Sequence, residues 1–81
     1  MKKMAVIKNI GFGNRDVGRP VVWFDTYTEE NVAALQVLDM EIALTHIKKS
    51  GVYDIKNLEG KTCWVEENNN LIKFLSFFDE R

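Results

Sequence analysis

Eighty-one residues make one domain, residues 1–81, with one modest core, because a chain of this size buries only about 60 to 65% of the surface its unfolded form exposes. Apolar residues at 46% and charged residues at 28% belong to a folded globular chain and exclude an intrinsically disordered one. Eleven basic and twelve acidic residues leave a net charge of -1, without the basic excess that drives association with duplex DNA.

The start of the chain, Met1 to Lys8, has its apolar stretch cut short by Lys8, unlike a secretion signal. No apolar run approaches the roughly 18 residues of a membrane span. A single cysteine, Cys63, excludes an internal disulfide framework and suits a reducing compartment. The expected address is therefore cytoplasmic, with no membrane association.

In chain order, Met4 to Ile10 alternates as a short strand and is expected at a sheet edge. Gly11 to Pro20 carries three glycines, Asn14, Asp16 and the only proline, and reads as a loop. Val21 to Tyr27 is almost wholly β-branched or aromatic and is the strongest strand signal. Its alternation puts Val21, Trp23, Asp25 and Tyr27 on one face.

Residues 29–50 admit two readings. Ala33, Val37, Met40, Leu44 and Ile47 follow helical spacing, consistent with one helix from Glu29 to Ser50. Asp39 followed by Glu41 is a second start signal, which favours a strand over 32–38 and then a helix over Met40 to Ser50. That helix has an apolar stripe of Met40, Ala43, Leu44 and Ile47, with Lys48 and Lys49 in its last turn and Gly51 as its cap. His46 falls opposite the stripe, in solvent, beside Ile42.

After a connector anchored by Val52, Ile55 and Leu58, residues 58–78 read as a β-hairpin turning at the Asn68-Asn69-Asn70 triplet, since Asn tolerates positive φ. Cys63 and Val65 form the core face of its first strand, with Trp64 opposite. Its second strand is apolar on both faces and is expected to be covered on both sides. The order strand, strand, strand, helix, strand, strand gives an α+β fold: a small, mostly antiparallel five-stranded sheet, or a partly open barrel of the OB type, with one helix.

Few residues carry chemistry. One His and one Cys do not make a metal site, Cys63 reads as a core thiol, and the scattered carboxylates contain no facing acid and base pair. The pattern points to no enzyme, no metal and no cofactor. The glycine-rich stretch lacks GxxxxGK[ST], and its GxGxxG spacing is broken by Asp16; Arg15 and Arg19 remain candidates for an anionic ligand or an acidic partner. Trp23, Tyr27, Ile42 and Trp64 are candidate partner contacts, or, for the aromatics, a platform on which bases stack. The competing reading has the three aromatics covering the barrel ends or packing beneath the helix.

Gly18-Arg19-Pro20-Val21-Val22-Trp23-Phe24, Ala33-Ala34-Leu35-Gln36-Val37-Leu38, Ser50-Gly51-Val52-Tyr53-Asp54 and Leu58-Glu59-Gly60-Lys61-Thr62-Cys63-Trp64-Val65-Glu66 together resemble small uncharacterised proteins encoded by phages and prophages. The resemblance brings no functional motif. It implies a phage accessory protein in a bacterial host cytoplasm, with a host protein as partner and counter-defence, as in anti-CRISPR inhibitors, as the use. The alternative is a nucleotide or single-stranded nucleic-acid binder, including a sponge for signalling nucleotides. Exposed strand edges also leave a homo-oligomer open.

Overall fold

The computed structural model describes residues 1–16, 18–52, 54–69 and 71–81, with Arg15 and Asp16 described by backbone alone. It shows an α+β fold of five strands and one helix: β1 (Lys2–Asp16), β2 (Arg19–Thr28), β3 (Ala33–Asp39), α1 (Met40–Ser50), β4 (Thr62–Asn68) and β5 (Leu71–Phe77). A 3-10 turn, Ile55–Leu58, precedes β4. Every paired strand is antiparallel, in the order β3-β2-β1-β4-β5, and the curled sheet forms a half-barrel. Strand followed by helix is the reading of 29–50 that the chain adopts.

β1 is neither short nor at an edge. It lies at the sheet centre and runs through the glycine stretch that its sequence marks as a loop. Between the pairs Lys8↔Asp25 and Gly11↔Trp23 one extra residue bulges out, with Asn9 at φ 56°. The Glu59 carboxylate holds this bulge by accepting the Asn9 and Ile10 N–H groups at 2.9 and 3.0 Å. Those two hydrogen bonds, Ile10 first, keep the Glu59 carboxyl below its ordinary range. Beyond the bulge, Gly11 is needed for space: a Cβ there would stand 2.8 Å from the Trp23 indole. The glycines are thus the bed of an aromatic ring, and alternation survives them.

The inner face of the half-barrel carries the core, with Ala5, Ile7, Val22, Phe24, Cys63, Val65, Phe74 and Phe77 joined by Ala43 of α1 and by Leu58. Cys63 is buried as expected, and burial pushes its thiol up to about 12. Because only the thiolate reacts, Cys63 in the folded protein is expected to react with a thiol reagent at neutral pH roughly a thousandfold more slowly than in urea. A colorimetric thiol assay reads this directly, and a native rate near the denatured one would contradict it.

α1 starts at Met40 and ends at Gly51, whose φ of 75° is the left-handed cap that the glycine signals. Asp39 precedes the helix without a side-chain capping bond. The buried stripe is rotated from the expected one: Ala43 is buried, Leu44 is exposed and His46 turns inward. The His46 ring stands edge-on to Phe74 and Phe77, with centroids 5.1 and 6.2 Å away, and its Nδ1 meets Glu80 Oε2 at 2.8 Å. The same oxygen accepts the Phe77 N–H. Small Ala43 lets the helix approach the sheet, and this approach brings His46 onto the two rings.

β5 is an edge strand and is not covered on both sides. A bulge after Trp64↔Ser76 resets its alternation, so Phe74 and Phe77 both face the core while Leu71, Lys73 and Leu75 face solvent. At the hairpin turn, Asn69 takes a φ of 49°, as the triplet predicts; Asn70 lies outside the described residues.

Since directions alternate across the sheet, β3 and β5 run parallel where the curl brings these two edges together. No backbone hydrogen bond joins them among the described residues. The buried side chain of Gln36 joins them instead: its Nε2 donates to the Ile72 carbonyl at 2.9 Å and its Oε1 accepts the Phe74 N–H at 3.0 Å.

Candidate interaction surface

The outer face of the sheet is built by the residues that alternate with the core. On β2 these are Trp23, Asp25 and Tyr27, and the register sets Val37 beside Trp23, Leu35 beside Asp25 and Ala33 beside Tyr27. Leu35 is 51% exposed and Val37 47%, on a strand with no backbone-paired neighbour on its far side among the described residues. Soluble domains usually guard such an edge with charge, proline or a bulge. Here Ala33, Leu35 and Val37 are outward and aliphatic, with Asp39 at the strand's end.

Sequence reasoning missed Leu35 and Val37 because apolar residues stand on both faces of residues 32–38 and the polar Gln36 reads as the outward one. The pairing of Gln36 with the buried Phe24 decides otherwise. Phe24 points into the core, so Gln36 must follow, and Leu35 and Val37 turn out. The available signal is the face shared by Ala34, Gln36 and Leu38, which continues into Met40 of the helix.

The candidate contacts fall into three groups. Trp23 and Tyr27 lie together on the outer face beside Leu35 and Val37, Trp23 with its ring against Gly11 and Gly13. They neither cap the barrel end nor lie beneath the helix. Trp64 is two strands away on β4, stacked on Phe78 with centroids 5.9 Å apart and with Lys2 Nζ 4.5 Å from its ring centroid. It is part of an internal stack. Ile42 is 50% exposed but belongs to α1, which packs on the core side of the sheet, so the outer face and Ile42 present different surfaces.

Arg19 opens β2 and lines a shallow depression with Pro20, Asp39, Met40 and Glu41. The other charges there are acidic, a setting that weakens an anion. The Arg15 side chain lies outside the described residues. Along β1 the outer face forms a trough floored by Met4 and Val6, and one part of it, about 500 Å³, is lined by Val6, Lys8, Asn9, Tyr27, Thr28 and Asn31. Lys3 makes hydrogen bonds to Glu30 and Glu67, the former first, that raise its pKa above the ordinary lysine range. Among the described residues no group of three or more His, Cys, Asp or Glu could hold a metal ion, and no helix is long and apolar enough to cross a membrane.

Comparison with family models, with curated proteins and with solved structures finds no match to this chain. The class defined by the fold is a small α+β half-barrel with its helix between strands three and four.

Proposed function

We propose that this protein is a non-enzymatic binding module that acts on another protein through the outer face of β2 and β3. One observation carries this reading: Leu35 and Val37 stand exposed on the edge strand β3 beside Trp23 and Tyr27 of β2. Trp and Tyr are enriched among the residues that carry interface binding energy, and the buried centre of an interface is more apolar than its rim. The resemblance to small phage and prophage proteins supports a host protein in a bacterial cytoplasm as the partner, and inhibition of a defence component as the use. Trp64, on the same face but two strands away in its own stack with Phe78 and Lys2, and Ile42, on the helix, take no part in this reading.

The test is capture from bacterial lysate by the tagged protein and by its Leu35→Asp, Val37→Asp double variant. Both sites are exposed, so the variant keeps its fold by circular dichroism. The expected result is one stoichiometric protein retained by the parent and reduced at least tenfold by the variant. Equal capture by both, or none by either, contradicts the reading.

A second reading, nucleotide or single-stranded nucleic-acid binding, is favoured by the outward Trp23 and Tyr27 on β2, since the outer face of strands two and three is where OB-type barrels hold oligonucleotides. Asp25 lies between these rings and repels phosphate, which ranks this reading second. Salt-sensitive capture of nucleic acid in the same experiment would reverse the order.

A further inference from the structure

The Gln36 amide marks what the open seam of the half-barrel accepts. In a parallel ladder, a residue facing residue i donates its N–H to the carbonyl of i-1 and accepts the N–H of i+1. Gln36 does both with a side chain: it donates to the Ile72 carbonyl and accepts the Phe74 N–H, the two groups flanking Lys73. Its primary amide thus makes the two hydrogen bonds that one residue of a strand running parallel to β5 would make. The rest of both facing edges has no backbone partner across the seam among the described residues.

We infer that this seam is a strand-addition site, which takes an extended segment of the partner polypeptide parallel to β5 with the Gln36 amide as its placeholder. The inference deepens the protein-binding reading and rests on it. An open edge of backbone donors and acceptors is a template for another strand, and main-chain pairing gives such sites their affinity. Side chains set the sequence. The inserted strand's outward residues lie between Leu35 and Val37 of β3 on one side and Leu71 and Lys73 of β5 on the other, and Leu71 is 73% exposed. The segment that fits has aliphatic or β-branched residues at alternate positions and one acidic residue opposite Lys73. Seating it widens the seam to two strand spacings, about 9.6 Å, and turns Gln36 out.

Selection of random seven-residue segments displayed on a bacterial surface against the intact protein tests this. The expected winners alternate apolar residues around a central Asp or Glu and, on titration, shift the amide resonances of Ile72, Lys73 and Phe74. Gln36→Ala removes the competing amide and should tighten the winning segment about tenfold. Lys73→Glu, on the solvent side, should weaken it at least tenfold and prefer a segment whose central acid is replaced by lysine, so the test stands even if the Gln36 variant is unstable. Winners that leave Phe74 unshifted and ignore Lys73→Glu overturn the seam site while leaving the protein-binding reading in place. No enrichment at all also overturns the seam site, and the lysate capture then judges the broader reading alone.

Discussion

Phe24→Ala should lower the stability of the folded protein by about 3 to 5 kcal/mol. Phe24 is fully buried, sits edge-on to Phe74 with centroids 5.3 Å apart, and is tilted against Phe77 at 6.1 Å. It therefore touches the aromatic pair that holds β5 and, through that pair, His46 of α1. Truncation empties a place where β2, β5 and the helix meet, and the surrounding strands cannot collapse into it without breaking the β2 ladder. A domain of this length has roughly 4 to 12 kcal/mol in total, so the variant should lose much of its cooperative transition in urea. A midpoint shift equivalent to less than about 1 kcal/mol would mean that the core is centred elsewhere.

Gln36→Leu should be the second largest loss, although it replaces a polar side chain with an apolar one of similar size. The substitution removes both partners of the seam and leaves the Phe74 N–H and the Ile72 carbonyl unpaired beside buried rings. An orphaned group of this kind costs about 1 to 3 kcal/mol, which for the two groups puts the variant at roughly 2 to 6 kcal/mol below the parent, less whatever the leucine gains by burial. The specific sign is local: hydrogen exchange at the Phe74 amide should accelerate well beyond the general loss of stability, because that N–H loses its own acceptor. Leucine as good as glutamine, with Phe74 exchanging as before, would show that the seam is closed by packing alone.

Local chemistry made the middle of this chain readable. Asp39, Glu41, the two lysines and Gly51 bound α1 correctly, and the β-branched and aromatic run 21–27 could be little other than a strand. Bulges hid what the sequence did not show. The extra residue near Asn9 is stabilised by Glu59, about fifty positions away, so nothing within 11–20 reveals that β1 continues beneath Trp23. The bulge opposite Trp64 likewise shifts Phe77 onto the face of Phe74, which periodicity assigns to opposite sides. Burial of Gln36 and exposure of Leu35 and Val37 follow from register with Phe24, a long-range fact. The candidate surface was half legible for the same reason: Trp23 and Tyr27 announce themselves by type, whereas their aliphatic neighbours become visible only when the strands are paired.

The most direct test of the account is hydrogen exchange on the protein with and without the partner it captures. Protection that rises along β3 and β5 and over the outer face of β2, with α1 around Ile42 unchanged, is the result expected for a module that binds protein through its open edges. Protection confined to α1, or a pattern identical in the free and bound protein, would contradict it.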